Sequence, residues 1–181
     1  MILHQYKIVF GGSMGAGKSS AIQSLSDIAV FSTEVLNTDL DAHQKELTTV
    51  GIDYGEISLD SGIKIGLYGT PGQERFDFMW PLLCQGAIGS IVLIDHSSHS
   101  ALNALEFYVE RFKTYTENIV IGVTHIDGRL GVSADSYHQW LLKKGYDFPL
   151  FFVDARNKND ILLLAETLMT CVELRADLAH L

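Results

Sequence analysis

Apolar runs typical of strands alternate along the chain with segments in which apolar residues recur every three or four positions. The apolar runs predict strands at 6–10, 50–60, 63–69, 89–96, 118–127 and 149–155. The helical pattern predicts helices at 18–28, 74–83, 101–115, 134–145 and 159–178, the second of them interrupted by Pro81. A tight-turn sequence at 60–62 joins the second and third strands as an antiparallel hairpin.

This alternation predicts an α/β fold of three layers. We expect an approximately six-stranded, mostly parallel sheet with one antiparallel edge strand and with helices on both faces. The length of 181 residues fits one domain, so residues 1–181 are expected to fold as a unit. Ligands of such sheets bind beyond the carboxyl ends of the strands, which directs attention to the loops after residues 10, 69, 95, 123 and 153.

The first of these loops, GGSMGAGKSS (11–20, the phosphate loop), contains the pattern GxxxxGK[ST] between a predicted strand and a predicted helix. Its backbone N–H groups and the helix N-terminus favour bound phosphates. Lys18 would bridge the β- and γ-phosphates, and the Ser19 hydroxyl would ligate Mg²⁺. The motif predicts a nucleoside-phosphate site at Gly12, Ser13, Met14, Gly15, Ala16, Gly17, Lys18, Ser19 and Ser20. A Gly-rich turn without a ligand is the competing interpretation.

Composition narrows the possible partners. Hydrophobic residues make up 47% of the chain and charged residues 19%, which is typical of a soluble globular protein. A formal charge of −9 argues against nucleic acid or an anionic membrane as the main partner. Cys84 and Cys171 lack the spacing of a metal site. We find no signal peptide, no lipidation motif and no apolar run of about 20 residues, so we expect a cytoplasmic protein without a direct membrane anchor.

Four further segments, TTVGID (48–53), GTPGQERF (69–76), THID (124–127) and DAR (154–156), resemble motifs of the Ras-like small GTPases, over nearly the full length of the chain. The resemblance implies a P-loop NTPase G domain that binds GTP or GDP with Mg²⁺. In the first switch (48–53), Thr49 would close on Mg²⁺ and the γ-phosphate, with Thr48 as the alternative. In the second switch (69–76), Gly72 would donate its amide to the γ-phosphate. Gln73 would orient the attacking water and act with Lys18 in catalysis.

The resemblance also assigns the base-recognition residues. Asp127 matches the carboxylate that accepts two hydrogen bonds from guanine, a donor pair that adenine lacks, and is the main argument for GTP over ATP. Thr124 and His125 stand where the family usually has Asn and Lys; Thr124 could still tie this loop to the phosphate loop through its hydroxyl group. Asp154, Ala155 and Arg156 stand where the family has Ser-Ala-Lys. A plain Asp-Gly turn and a solvated surface arginine are the competing interpretations.

Two departures bear on the rate of hydrolysis. Gly69 stands where the family has an Asp that holds Mg²⁺ through water, and Met14 stands where efficient enzymes have Gly. Both changes imply slow GTP hydrolysis. Asp39 or Asp41 is a candidate for the missing carboxylate. The cluster Phe76, Phe78, Met79 and Trp80 could serve either as core or as a partner-contact surface.

The resemblance therefore implies a GTP-binding molecular switch, a hydrolase that is slow without a protein partner. The altered motifs resemble a bacterial branch that includes MglA and the conservon-type (CvnD-like) GTPases, which work beside roadblock-domain proteins that regulate or activate them. Two alternatives remain open. A pseudo-GTPase scaffold would bind partners with little or no hydrolysis. A P-loop kinase or ATPase would need an arginine-rich lid, for which the sequence shows no cluster.

Overall fold

The computed structural model describes residues 5–33, 51–59, 62–127 and 132–178. Its strands form one sheet. In chain order they are β1 (Gln5–Gly12), β2 (Phe31–Thr33), β3 (Ile52–Ser58), β4 (Lys64–Gly69), β5 (Gly89–Asp95), β6 (Ile119–Thr124) and β7 (Leu150–Phe152). The helices are α1 (Lys18–Leu25), α2 (Trp80–Cys84), α3 (Ala101–Phe112), α4 (Ala134–Lys144) and α5 (Lys158–Leu178). A 3₁₀ helix, Glu74–Met79, precedes α2.

The seven strands lie in the order β2-β3-β4-β1-β5-β6-β7. β1 pairs in parallel with β4 and β5, and the parallel ladder continues through β6 to β7. β3 runs antiparallel to β4 and to β2. The predicted α/β class, with a mostly parallel sheet and an antiparallel hairpin near one edge, is confirmed. The outermost strand β2 was not predicted, because three residues carry too little periodicity to identify a strand.

Helices cover both faces of the sheet, and the alternation of strand side chains explains why. In β1, Ile8 and Phe10 are buried on the face covered by α1 and α5, whereas Val9 is buried on the face covered by α2, α3 and α4. Every residue of β6 is buried, as expected of a central strand between two helical layers. The buried clusters on the two faces hold the ends of the strands in place, and so they also position the loops that follow those strands.

The segment after the second switch differs from the prediction. Pro81 lies in the first turn of α2, which begins at Trp80, and a missing N–H costs nothing there. Pro81 therefore does not interrupt a helix. Trp80 is fully buried against Tyr108 and Phe112 of α3, with ring centroids 5.4 and 5.3 Å away, and is part of the core. Phe78 is 66% exposed. The cluster therefore divides between core and surface.

In the described part of the chain, no helix combines the length and the apolar character needed to cross a bilayer.

Candidate functional site

The phosphate loop connects β1 to α1 at the carboxyl edge of the sheet. Gly12, Gly15 and Gly17 have φ values of 136°, 83° and 95°, in a region that side chains disfavour. At Gly12 the requirement is also steric, because a Cβ atom there would lie 2.2 Å from the Leu93 carbonyl oxygen. The loop closes with the Ala16 amide donating to the Ser13 carbonyl at 3.2 Å. These glycines let the chain turn sharply from a buried strand into the N-terminus of α1.

Lys18 lies under this loop and is only 8% exposed. Its Nζ donates to the carbonyl oxygens of Gly12 and Ser13 at 2.8 and 2.7 Å. Burial lowers the Lys18 pKa to about 8, and the nearby carboxylate of Asp53 counteracts part of this shift. A cavity of about 430 Å³ adjoins Lys18 and is also bordered by residues of the phosphate loop, β3 and the second switch. The site therefore presents a buried cation to a cavity that the phosphate loop also borders.

Ser19 contacts a carboxylate that sequence reasoning did not assign to the site. Its Oγ donates to Asp53 Oδ2 at 2.5 Å, and Asp53 is 8% exposed on β3. Two signals in the sequence could have identified Asp53. The strand alternation places it in phase with the buried Ile57. A hairpin centred on residue 61 pairs 58 with 64, and hence 53 with 69, which is the register observed.

Gly72 of the second switch lies against the phosphate loop. A Cβ atom on Gly72 would lie 2.5 Å from the Met14 nitrogen and 2.8 Å from Lys18 Nζ. The Gly72 carbonyl accepts hydrogen bonds from the Met14 amide and from the Tyr108 hydroxyl, each at 3.2 Å. Burial raises the pKa of Tyr108 to about 12, so this hydroxyl stays a donor at neutral pH. Only a glycine fits between the loop and Lys18 in this position.

Gln73 has both ends of its amide engaged. Its Nε2 lies 3.9 Å from Met14 Sδ, and its Oε1 accepts a hydrogen bond from Arg75 Nε at 2.8 Å. Met14 itself is 72% exposed at the mouth of the cavity. The residue that the sequence assigns to water positioning thus borders the phosphate cavity, but it is turned toward the Met14 side chain.

Thr124, at the end of β6, joins the base loop (124–127) to the phosphate loop. It is 1% exposed, and its Oγ1 shares its proton between the carbonyl oxygens of Ala16, at 3.0 Å, and Ile94, at 3.2 Å. The hydroxyl tie expected from the sequence is present. Next to it His125 has a φ of 56°, which turns the chain into the loop. The His125 Nδ1 lies 3.0 Å from Thr124 Oγ1 and 3.4 Å from Asp95 Oδ1.

A second cavity, of about 470 Å³, lies beside the first. Gly17, Ser20 and His125 border both cavities, so the two spaces are adjacent. The second cavity is bordered by Thr124, His125, Asp127, Asp154, Ala155 and Arg156, the residues that the resemblance assigns to the base. The two adjacent cavities therefore connect the phosphate loop to the residues that the resemblance assigns to the base.

The three residues of the DAR segment (154–156) border this second cavity, with Ala155 buried and Arg156 exposed. Ala155 is 6% exposed, and a Cβ atom on Gly17 would lie 2.8 Å from the Ala155 Cβ atom. Arg156 is 76% exposed, and its guanidinium donates to both carboxylate oxygens of Asp154, at 2.9 and 2.7 Å. These hydrogen bonds lower the Asp154 pKa to about 2. The guanidinium is therefore held at the rim of the base-side cavity.

The structure thus brings together the phosphate loop, Gly72, Gln73 and the base-side residues around two adjacent cavities. Four residues named from the sequence, Asp39, Asp41, Thr48 and Thr49, lie outside the described residues. Across the described ranges no group of three or more His, Cys, Asp or Glu side chains could hold a metal ion. Ser19 and Asp53 nevertheless form an oxygen pair of the kind that Mg²⁺ prefers, next to the phosphate cavity. This pair of oxygen atoms fits a Mg²⁺ ion that phosphate oxygens would also ligate.

Comparisons with known proteins agree with a nucleotide site. Residues 29–129 match the profile of a family described as conserved hypothetical ATP binding protein, a range that excludes the phosphate loop. The chain is 30% identical over 115 residues to Ras-related protein Rab-18 of Caenorhabditis elegans, covering 62% of this chain and 51% of that protein. It is 28% identical over 120 residues to Ras-related protein RABA1c of Arabidopsis thaliana, covering 64% and 50%.

A longer match has lower identity. Ras-related protein Rab-3 of Caenorhabditis elegans is 24% identical over 177 residues, which is 93% of this chain and 74% of that protein. For Rab-18 and RABA1c, the chain spans about half the length of the relative.

Proposed function

We propose a function from the premise that the chain belongs to the family described as conserved hypothetical ATP binding protein and is similar to Ras-related proteins. The proposed function is a GTP-binding molecular switch, a single G domain that hydrolyses GTP to GDP and phosphate slowly. One observation carries this proposal. The hydrogen bond from Thr124 to the Ala16 carbonyl holds the base loop against the phosphate loop and so sets a phosphate cavity beside a base cavity.

In this proposal the phosphate loop and Lys18 would hold the phosphates, and Ser19 and Thr49 would hold Mg²⁺. On nucleotide binding, Lys18 Nζ would leave the carbonyl oxygens of Gly12 and Ser13 and contact phosphate oxygens instead. The negative phosphates would stabilise the ammonium charge that burial destabilises. A bound Mg²⁺ ion would neutralise charge on the β- and γ-phosphate oxygens. Gly72 offers its backbone to the γ-phosphate from a position beside Lys18.

Slow hydrolysis follows from the surroundings of Gln73. To orient a water molecule, its side chain must leave Met14 and Arg75, which contact the two ends of its amide. A partner protein that binds near the exposed Phe78 and Leu82 could reorder this segment. We infer that a regulator of this kind, such as a roadblock-domain protein, accelerates turnover, as the resemblance to the bacterial MglA and conservon-type branch implies. We propose a cytoplasmic site of action, which the formal net charge of −9 supports because it disfavours an anionic membrane surface.

Base identity separates the main proposal from the ATP-binding description of the matched family. Asp127 borders the base-side cavity, and its carboxylate could accept two hydrogen bonds from guanine, whereas adenine would leave it without a donor pair. Because Thr124 and His125 replace the usual Asn and Lys, we expect weaker base binding than is typical of the superfamily. The same changes support the pseudo-GTPase scaffold as a second candidate function.

Nucleotide extraction tests the proposal. Protein purified without added nucleotide is denatured with acid, and the released nucleotide is identified by chromatography. We expect GDP or GTP; ADP or ATP would support a kinase or ATPase, and an empty protein that also fails to bind added GDP would support the scaffold. Hydrolysis by the isolated protein is expected on the order of 10⁻⁴ s⁻¹, and multiple turnover above about 1 s⁻¹ would contradict the slow switch.

A further inference from the structure

Among the methionines that the structure describes, Met14 has the most exposed side chain. It is 72% exposed in the phosphate loop, whereas Met79 and Met169 are half-buried. Hydroperoxides oxidise the thioether sulfur of methionine to a sulfoxide, and they reach an exposed sulfur more readily than a packed one. Of these three residues, Met14 is therefore the one that an oxidant in solution would attack first.

The sulfur of Met14 contacts the residue that we assign to water positioning. Gln73 Nε2 lies 3.9 Å from Met14 Sδ, and both residues border the phosphate cavity. A thioether sulfur is only a weak acceptor, so this contact restrains Gln73 weakly. A stronger acceptor on the Met14 side chain would hold the Gln73 amide more firmly in the orientation that the structure shows.

A sulfoxide oxygen on Met14 would be such an acceptor, and the contact has a suitable length. With a bent S–O···N angle, the sulfur–nitrogen distance of 3.9 Å places the added oxygen about 2.9 Å from Gln73 Nε2, an ordinary N–H···O length. Sulfoxidation makes the side chain polar and chiral, and the epimer whose oxygen faces Gln73 would form this hydrogen bond. Arg75 Nε already donates to the other end of the same amide. Both ends of the Gln73 amide would then be held by full hydrogen bonds.

We propose that Met14 is a site of reversible oxidation, whose sulfoxide form slows GTP hydrolysis by holding Gln73 away from the attacking water. The inference rests on the proposed function. A hydroperoxide is the co-reactant: the sulfur lone pair attacks its terminal oxygen, the O–O bond breaks and an S–O bond forms. The other oxygen leaves with the proton as water or an alcohol, so the sulfur loses two electrons and the peroxide gains them. A methionine sulfoxide reductase, with two thiols as the reductant, restores the thioether and releases water.

The two cysteines are the other groups that a hydroperoxide attacks. Cys84 is 4% exposed, and burial raises the pKa of its thiol to about 11, so at neutral pH it holds almost none of the reactive thiolate. Cys171 is half-buried on α5 and borders neither the phosphate cavity nor the base-side cavity. An effect of oxidation that requires Met14 can therefore be separated from cysteine oxidation by a variant at residue 14, in which both cysteines are kept.

The first part of the experiment measures the modification and needs no hydrolysis. Purified protein is treated with hydrogen peroxide, and its peptides are analysed by mass spectrometry over time. We expect the sulfoxide to form at least about three times as fast at Met14 as at Met79 or Met169, because of the difference in exposure. The NMR signals of the Gln73 side-chain amide should move downfield on oxidation of the wild type and should not move in Met14→Leu.

The second part measures single-turnover GTP hydrolysis before oxidation, after oxidation and after treatment with the reductase. The wild-type rate should fall by about 2- to 10-fold and then recover, as expected for one added hydrogen bond to Gln73. Met14→Leu should have the same rate before and after peroxide, whereas the matched control Met169→Leu should respond like the wild type.

Three results would overturn the inference: sulfoxide formation at Met14 no faster than at the half-buried methionines, unmoved Gln73 amide signals in protein fully oxidised at Met14, or an unchanged hydrolysis rate in that protein. If untreated wild-type protein neither bound nor hydrolysed GTP, the proposed function would be overturned instead. The mass spectra and the Gln73 signals would still decide whether Met14 is the oxidation site that restrains Gln73.

Discussion

The two ends of the candidate site differ in how firmly the fold holds them. On the phosphate side, Lys18 and Asp53 are each 8% exposed and are fixed by carbonyl and hydroxyl partners. On the base side, the side chains of His125 and Arg156 are 46% and 76% exposed. Packing preorganises the first set, whereas solvent competes for the second. We infer that affinity depends mainly on the phosphates and that base discrimination is the weaker property.

The contrast also explains how the site tolerates its altered motifs. Thr124 keeps the buried hydroxyl contact to Ala16 that joins the two ends, although it stands where the family usually has Asn. On the exposed rim, His125 and Arg156 can replace other residues without disturbing a core. The departures at His125 and Arg156 thus cost the phosphate side little.

Removing the buried cation should have the largest effect. Lys18→Met leaves the phosphates without their buried charge partner and should raise the dissociation constant for GDP by about 100-fold or more. Isothermal titration calorimetry measures this dissociation constant. Lys7→Met is the matched control, since Lys7 of β1 contacts the Gln85 carbonyl and lies outside both cavities. Equal affinity of Lys18→Met and wild type would show that the phosphate side does not dominate.

The pH dependence of affinity tests the same charge. Burial holds the Lys18 pKa at about 8 in the free protein, and bound phosphates should raise it. Affinity should therefore be flat below about pH 8 and fall by up to about tenfold per pH unit above it, because binding then requires proton uptake. Calorimetry in buffers of different ionisation enthalpy counts these protons. The guanine ring also titrates at alkaline pH, and the pH dependence of GDP affinity in Lys18→Met measures this contribution alone. If the wild type had the same pH dependence as Lys18→Met, the fall in affinity could not be assigned to Lys18.

A smaller effect is expected on the base side. Asp127→Asn exchanges a carboxylate for an amide that can donate to the carbonyl group of xanthine, so preference should move from GDP to xanthosine diphosphate. Because Asp127 is exposed, we expect a loss of about 10-fold for GDP. Competition against a fluorescent nucleotide measures both affinities. Asp147→Asn is the control, because Asp147 borders neither cavity. If Asp127→Asn kept the wild-type preference for GDP, Asp127 would not contact the base.

The smallest effect should come from Tyr108, which contacts the site only through Gly72. Tyr108→Phe removes one of the two hydrogen bonds to the Gly72 carbonyl and frees the second switch to adjust to a γ-phosphate. The affinity ratio of a non-hydrolysable GTP analogue to GDP should rise by about 2- to 10-fold. Tyr137→Phe, which removes a buried hydroxyl paired with His96, is the control. A ratio that is the same for Tyr108→Phe and wild type would show that this hydrogen bond does not restrain the switch.

Most of the fold could be predicted because its central strands have strong patterns. All residues of β6, and all residues of β5 except Asp95, are buried. The phosphate loop lies between β1 and α1, as its motif requires. The short strand β2 could not be predicted, since its pairing with β3 is a tertiary contact between residues distant in sequence. The start of α2 at Trp80 likewise depends on packing against α3.

The site could be predicted where residues follow one another in the chain and was missed where they meet across strands. The phosphate loop, the second switch and the base loop are contiguous motifs. Asp53 reaches Ser19 only through the register of β3 on β4, so sequence reasoning looked instead to Asp39 and Asp41 in the preceding segment. The position of the hairpin turn, combined with the alternation of buried and exposed residues in the strand, would have placed Asp53 opposite Gly69 on a buried face.

The most direct test of the account is the competition of GDP and ADP for the purified protein in Mg²⁺, with a fluorescent guanine nucleotide as the reporter. We expect GDP to displace the reporter at a concentration at least about tenfold lower than ADP does, because only guanine offers the donor pair that Asp127 accepts. Displacement by ADP at equal or lower concentration would contradict it and would assign the site to an adenine nucleotide.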